Sequence, residues 1–456
     1  MTHHPRTPHP TVDHLVATGV GVLGVFTLGV STWIAYRSWG GVLDALGHLL
    51  APTQAEALWT GLVAANLMLL QVVLLARLPW LERAWGRGAL TWCHAVLGFA
   101  SFWLMLLHVL LFTMQRTSRR RSDVSGALGD LFVHDRHMLI ATIGTGLVVL
   151  VTVTSSRALR RRIRYEVWHL THLWSYVGIG LVLPHELVSV DFVGTWTTTY
   201  WWALHLVPLA LVLWFRLARP FVVSARHQLT VQENVAETPG VVSLVVAGRD
   251  LDRLGVRSGQ FLLWRFGGRG RTRGHPYSVS RAPRADTLRV TICGTGDGAG
   301  AAAAVVPGTR VAVEGPYGAL APLRRRHPHL LLIAAGMGIT PFRALLEDAP
   351  LGPGETTLVH RARSADELLF AAELDALAAA RGFRIVRLLG PRRASWSFLP
   401  AGEEGSPDEV LLGLAPDLLT SDVYVCGPPQ WTWGVTKAAR AAGVARRDLH
   451  REDFGW

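Results

Sequence analysis

Lysine is almost missing from this 456-residue chain: of 45 basic residues, only Lys437 is not arginine. That bias points to a GC-rich bacterial genome and carries no functional signal by itself. Cysteine is nearly as rare, at Cys93, Cys293 and Cys426. Three scattered thiols exclude a disulfide framework and a four-cysteine iron–sulfur cluster. Any redox carrier is therefore organic or haem. Charge is thin as well, at 17% of residues, and mean hydropathy is +0.28, too apolar for a purely soluble protein. Internal repeats are lacking, and so is an EF-hand loop or other recognised regulatory module. The net charge of +12 would suit nucleic acid, but much of the arginine sits beside apolar runs, as at Arg160, Arg161, Arg162 and Arg164. Cytoplasmic loops of membrane proteins look like that, so no nucleic-acid partner is expected.

What is present is a change of pattern along the chain, with length enough for about three domains. Six stretches, roughly 14–36, 57–76, 89–115, 137–156, 166–189 and 197–215, each hold a core of about 17 or more residues free of Asp, Glu, Lys and Arg, which predicts six spanning helices. Arginines in loops 77–88 and 157–164, with Arg216 and Arg219 after the last span, put both termini in the cytoplasm of a multi-pass plasma-membrane protein. Loop 116–136, with Arg116, Arg119, Arg120, Arg121 and Arg136, runs against that majority. After Pro220 come short β-rich runs such as VVSLVVAG and GQFLLWRF. From about Leu330, strands alternate with helices, the mark of a parallel α/β nucleotide-binding domain. The expected division is 1–220 membrane domain, 221–326 β-barrel domain and 327–456 α/β domain.

Ionisable residues inside spanning helices are costly and functional by default. The third span carries His94 and His108, separated by about 21 Å of rise and a rotation about 40° short of four turns. They share a face near opposite sides of an apolar slab roughly 30 Å thick. The fifth carries His172 and His185, about 19.5 Å apart along the axis. Both helices run the same way, so His94 lies level with His172 and His108 with His185. Two facing pairs at two depths predict axial ligation of two haems, and bis-histidine coordination suits electron transfer more than oxygen binding at the metal. Thirteen residues turn an ideal helix by about 220°, which places His172 and His185 on different faces; Pro184 is the local device that re-aims His185. His169 is a rival to His172 with a poorer depth match. Helix-to-helix hydrogen bonding is the ordinary role of a lone membrane histidine, and His48, His134, His137 and His205 are assigned to it.

The paired histidine spacing, followed in order by HPYSVS, GPYG, GMGITP and CGPP, resembles the ferric reductase and NADPH oxidase superfamily: a bacterial ferric-reductase-like transmembrane protein with a ferredoxin-NADP reductase type domain. The resemblance implies a six-helix di-haem bundle, a β-barrel that binds FAD and an α/β domain that binds NAD(P)H. By it, His275, Pro276, Tyr277 and Ser278 hold the flavin ring, with Tyr277 stacking and Ser278 near the reactive nitrogen. Residue chemistry agrees, since a tyrosine stacks on flat rings and a hydroxyl bonds a ring nitrogen; a β-turn with an incidental tyrosine is the competing view. The family's Lys and Thr for the flavin pyrophosphate are replaced by Cys293 and Ala299, which weakens the expected grip on FAD, while Gly296 remains for close backbone approach. Gly336, Gly338 and Thr340 open a helix after the strand LLLIAAG, where glycines and a helix N-terminus suit a pyrophosphate. Cys426, Gly427 and Pro428 end another strand, and the resemblance puts Cys426 near the nicotinamide; a structural cysteine is the alternative. Arg361 and Arg363 sit where the family contacts the adenosine 2′-phosphate, which favours NADPH over NADH. Glu452 and Phe454 match the family's closing segment near the flavin, with Ser278, Cys426 and Phe454 as its catalytic group.

The implied activity is an NAD(P)H-dependent flavohaem oxidoreductase in the lipid bilayer. Electrons run from cytoplasmic NADPH through FAD and two b-type haems to an acceptor outside. Outward movement is favoured by ~2.3 kcal/mol per 100 mV of inside-negative potential. Ferric iron or its chelates and molecular oxygen, reduced to superoxide, are both open as acceptors. A non-enzymatic membrane protein with a vestigial reductase tail is the reading from another class, and it predicts no haem absorbance.

Overall fold

The computed structural model describes residues 10–37, 54–120, 126, 129, 136–189, 195–267, 274–293, 305–318, 320 and 325–453. Two compact units divide the chain, one ending at Arg216 and the other starting at Leu217. Among the described residues, the first contains six long helices: α1 (Pro10–Arg37), α2 (Gln54–Leu74), α3 (Arg87–Arg120), α4 (Arg136–Ser155), α5 (Tyr165–Ser189) and α6 (Thr195–Val212). A helix satisfies its own backbone, which is what lipid demands. Among the described residues, five helices are long and apolar enough to cross a membrane, and α5 is not one of them. Glu166, His169, His172, His185 and Glu186 lower its hydropathy, so the expectation of six apolar spans holds for five.

Helices α4 and α5 pack closely through Gly144 and Gly178. A Cβ on Gly144 would lie 2.7 Å from the Gly178 carbonyl oxygen, so the two backbones approach as small residues allow. Buried Asn66 pins α2 to α1. Its Nδ2 donates to Ser31 Oγ at 2.9 Å and its Oδ1 accepts from Thr27 Oγ1 at 3.3 Å. Tyr200 on α6 joins them, donating to the Thr27 carbonyl at 3.0 Å.

The second unit opens with α7 (Arg219–His227) and six strands: β1 (Thr230–Thr238), β2 (Val241–Ala247), β3 (Phe261–Phe266), β4 (His275–Ser278), β5 (Thr287–Cys293) and β6 (Val311–Tyr317). These form two antiparallel sheets, β1-β2-β5 and β4-β3-β6, around a core that includes Leu244, Leu262, Trp264, Val290 and Ile292. In place of the expected closed β-barrel, the described residues form open sheets, with isolated bridges at Thr230–Arg310 and Val279–Val290. Register shifts at Val231/Glu233 and Phe261/Leu263 bend these strands as bulges do.

A five-stranded parallel sheet follows, built from β7 (His329–Ala335), β8 (Thr356–Arg361), β9 (Arg384–Leu388), β10 (Ser421–Gly427) and β11 (Leu449–Asp453) in the order β11-β10-β7-β8-β9. Its apolar strands are buried, as in sheets covered on both faces. The covering elements include α8 (Ile339–Asp348), α9 (Ala371–Arg381), α10 (Pro407–Leu414) and α11 (Pro429–Ala441). Strand order reverses between β7 and β10, the switch point where such sheets take their ligands.

His360 on β8 is 1% exposed, and neither ring nitrogen has a hydrogen-bond partner. Burial, aided by Arg387, lowers its pKa from 6.5 to about 4. The unfolded chain therefore takes up this proton before the folded one does. The contribution is whole above pH 6.5 and is lost as pH falls toward about 4, amounting to about 3 kcal/mol at most. His360→Leu is expected to flatten the pH dependence of thermal unfolding of this unit across that window, read as Tm against pH.

Candidate functional site

In the membrane unit, α3 and α5 bring the four histidines together in two pairs. The ring centroids of His94 and His172 are 6.0 Å apart, and those of His108 and His185 are 6.3 Å apart. With about 2 Å per metal–nitrogen bond and about 1.1 Å from nitrogen to ring centre, two imidazoles on one axial metal stand about 6.3 Å apart. The fit is close at both depths. The backbone places His185 opposite His108 although α5 runs as one helix through Pro184. His172, not His169, faces His94.

Three of the four rings are oriented through Nδ1, leaving Nε2 as the atom for a metal. His94 Nδ1 meets the Gln71 carbonyl at 3.3 Å and His108 Nδ1 the Ala57 carbonyl at 2.6 Å. His172 Nδ1 meets Ser155 Oγ at 3.2 Å, and that oxygen also accepts from Trp168 Nε1 at 3.1 Å. The carbonyl partners fix tautomer and aim, and the Ser155 hydroxyl fixes aim, as metal-binding histidines require. Gly61 makes room for His108, since a Cβ there would lie 2.7 Å from its Nδ1. An apolar cavity of about 350 Å³, lined by Met105, His108, Phe112, Val182 and His185 among others, adjoins the second pair. No local pattern marks Ser155 and Trp168, because their part depends on how α4 and α5 pack. His205, assigned to helix-to-helix bonding, does bond Trp201 O at 3.0 Å and pairs with Glu186 at 3.2 Å. His48 and His134 lie outside the described residues, and His137 is exposed.

In the second unit, β4 carries His275-Pro276-Tyr277-Ser278 and pairs with β3, so that Leu262 faces Tyr277 and Phe261 faces Ser278. Tyr277 is half-buried and stacks on His275 at 6.0 Å and 13°, while Ser278 is buried. Tyr277 is held from behind, its carbonyl accepting from Trp264 Nε1 at 3.0 Å. Gly296, Ala299 and Phe454 lie outside the described residues. Glu452 pairs in register with Cys426, one strand over.

The nucleotide-type motifs meet at the switch point. A Cβ on Gly338 would lie 2.1 Å from the Cys426 carbonyl oxygen, so only glycine lets the turn after β7 pass the end of β10. Gly336 holds φ +53° with open space around it, where backbone is accessible to a ligand. Gly427 is crowded by Trp431, whose ring carbon would sit 2.9 Å from a Cβ there. Thr340 is turned inward and donates to the Met337 carbonyl at 2.8 Å, which ties the turn rather than presenting its hydroxyl. Cys426 is fully buried in the core, and Pro428 precedes α11.

The structure separates the two arginines. Arg361 is 2% exposed, and its guanidinium donates to the carbonyls of Phe398, Leu388 and Gly390 at 2.9, 3.0 and 2.6 Å and to that of Ala362. It is committed to the loop after β9 and does not stand ready for a phosphate, a correction to the expectation. Arg363 is exposed. Arg392, which no sequence motif singles out, has its pKa lowered by burial and by the neighbouring charge of Arg363. Two cations drawn together suit an anion between them.

A model of ferric-reductase-like transmembrane components matches residues 60–183, and one of oxidoreductase NAD-binding domains matches residues 332–437. Two segments of the chain are thus similar to a ferric-reductase-like transmembrane component and to an oxidoreductase NAD-binding domain. The ferric-reductase-like match covers α3 and most of α5. Among curated relatives, the ferredoxin reductase component of 3-ketosteroid-9-alpha-monooxygenase from Mycolicibacterium smegmatis is 32% identical over 239 residues, 50% of this chain and 65% of that protein. The chain thus spans just under two thirds of it. Respiratory burst oxidase homolog protein E of Arabidopsis thaliana is 26% identical over 245 residues, 45% of this chain and 25% of that protein. A solved ferredoxin NADP+ reductase from Neisseria gonorrhoeae, with bound FAD and NADP, matches 50% of this chain and 97% of its own at 21% identity, with a TM-score of 0.41.

Three outcomes follow from the nucleotide-side geometry. Gly338→Ala drives a methyl into the β10 backbone and is expected to abolish NADPH binding, measured by loss of NADPH-dependent dye reduction. Arg363→Ala is expected to raise KM for NADPH while leaving that for NADH near wild type; Arg361→Ala should lower Tm without changing the NADPH/NADH ratio, because its bonds are to the protein.

Proposed function

We propose that this chain is a transmembrane NAD(P)H-dependent oxidoreductase that carries electrons from cytoplasmic NADPH, with FAD and two b-type haems as carriers, to an acceptor outside. The observation that carries the reading is the pair of facing imidazole pairs, 6.0 and 6.3 Å between centroids, in a chain that also has an NAD-binding domain. His94 with His172, and His108 with His185, would hold the two haems. Bound haem supplies one-electron chemistry, and FAD links it to the two-electron nicotinamide.

The protein's own groups do the rest. The carbonyls of Gln71 and Ala57 accept from Nδ1 of two imidazoles and hold them in one tautomer, and the hydroxyl of Ser155 orients a third. Tyr277 offers its ring face to a flavin, and buried Ser278 offers a hydroxyl that can bond a flavin nitrogen. The turn Gly336–Gly338 and the N-terminus of α8 present backbone N–H groups to a pyrophosphate. Arg363, with Arg392 beside it, would read the 2′-phosphate of NADPH, while the end of β10 at Cys426 would border the nicotinamide and Glu452 on β11 would lie near the flavin. Ferric iron or its chelates are the acceptor we favour. The likeness to a respiratory burst oxidase homolog supports molecular oxygen, reduced to superoxide, as the second reading. Both termini are assigned to the cytoplasmic side of the plasma membrane by the arginine-rich loops.

Purified protein in liposomes, driven by NADPH, tests this with three readouts: haem reduction, superoxide outside and ferrous iron outside. His94→Ala or His172→Ala is expected to abolish transmembrane transfer while dye reduction by the reductase half stays largely intact. Full outward electron flux and both haems retained in His172→Ala would sink the ligand assignment, and material without haem absorbance would sink the reading as a whole.

A further inference from the structure

Five charged side chains cluster where the flavin-side strands meet the nucleotide-side helices. Glu373 on α9 accepts from both terminal nitrogens of Arg289 on β5, at 2.7 and 2.9 Å, and from Arg343 Nε on α8 at 2.7 Å. Arg343 also bonds Glu347, one turn further along α8. Glu347 accepts the backbone N–H of Ala282 at 2.9 Å, and its other oxygen stands 3.8 Å from Arg281 Nε. Arg289 donates to the Ser280 carbonyl at 3.0 Å and lies over the Phe370 ring at 4.7 Å. Ser280, Arg281 and Ala282 directly follow Val279 and the Tyr277-Ser278 pair. That loop is thus gripped by two helices of the nucleotide half.

Helix α8 gives this grip its consequence. It starts at the Gly336–Gly338 turn, and its residues Ile339 to Leu346 are all buried. Ala344 belongs to the same core as Leu262, Trp264 and Val290, and the Leu345 side chain lies 3.2 Å from where a Cβ of Gly259 would be. One rigid element of ten residues, about 15 Å long, thus bears the pyrophosphate turn at one end and the anchor of the flavin-side loop at the other. Apolar packing alone fixes distance but leaves rotation loose, whereas a forked Arg–carboxylate contact fixes angle as well. Glu373 stays ionised within the cluster. Burial would raise its pKa, but the Arg289 hydrogen bonds and the Arg289 and Arg343 charges bring it below the usual carboxylate range. A surface ion pair of ordinary kind would contribute little and would not span two sheets and two helices.

We propose that Glu373 and Glu347 are positioning residues, which through Arg289, Arg343 and the Ala282 N–H lock the loop after Tyr277-Ser278 to α8 and so set the approach of bound nicotinamide to flavin. This deepens the proposed function and rests on its NADPH-to-flavin reading. Reacting atoms need near-contact alignment, and a 1 Å misplacement costs up to about a hundredfold in rate. Loss of the clamp should therefore slow the reductive step without loosening NADPH.

The test uses the full chain in detergent, loaded with FAD, mixed with NADPH in a stopped-flow instrument while flavin bleaching is followed. Glu373→Gln and Glu347→Gln are expected to slow bleaching about tenfold. FAD content and the NADPH concentration for half-maximal rate should stay near wild type, and Glu373→Asp should recover most of the rate. Wild-type bleaching rates in both Gln variants would overturn the proposal. So would a rate loss fully accounted for by lost FAD or weakened NADPH binding. If Glu373→Gln fails to fold, Glu347→Gln decides by the same criteria, since its partners across the cluster are one N–H and the partly exposed Arg281. Wild-type protein whose flavin is not bleached by NADPH overturns the parent function instead, which keeps the two failures apart.

Discussion

A polar group taken out of water must find a partner, and this constraint shapes both units of the chain. Burying an unpaired amide or hydroxyl costs roughly 2–7 kcal/mol, and an ion costs more. In the membrane unit the constraint turns costly residues into ordered ones. His94 and His108 are held by helix carbonyls, His172 by Ser155, and His205 by Trp201 and Glu186. The first three each have one nitrogen spent and the other directed, and a metal ligand needs that arrangement. Asn66 with Ser31 and Thr27 shows the same rule used for assembly alone.

The second unit applies the rule with different results. Arg361 is buried and satisfied by carbonyls, so its charge serves the loop after β9 and not a ligand. Arg363, two residues on, is exposed and remains available. His360 is buried and unsatisfied, and the protein meets that cost by keeping the ring neutral. Three neighbouring basic residues thus take three different roles, set by what surrounds each side chain.

Close backbone approach is the second recurring device. Gly144 and Gly178 bring α4 and α5 together behind the histidines, and Gly338 lets the turn after β7 touch the end of β10. Where side chains are absent, rigid elements meet directly. Helix α8 extends this logic, joining a glycine turn at its start to the Glu347–Ala282 contact near its end. The two candidate sites therefore share a design in which backbone positions are set first and the side chains are hung on them.

Local pattern was enough to read the order and type of elements: long apolar runs before Pro220, short β-rich runs after it, then alternating strands and helices. Periodicity and hydropathy are properties of neighbouring residues, so they survive reading the chain one window at a time. The depth matching of His94 with His172 and of His108 with His185 was also legible, because helical rise is fixed. Long-range packing settled what local pattern cannot hold. It brought His185 to face His108 despite an unfavourable rotation along α5, replaced a closed barrel with two open sheets among the described residues, and sent Arg361 inward. It also supplied the partial burial of Arg392 beside Arg363, and Ser155, Trp168 and the Glu373 clamp, whose hydrogen-bonded partners lie 13 to 84 residues away in the chain. Contacts of that kind depend on which helices and strands pack together, and packing is a property of the assembled chain.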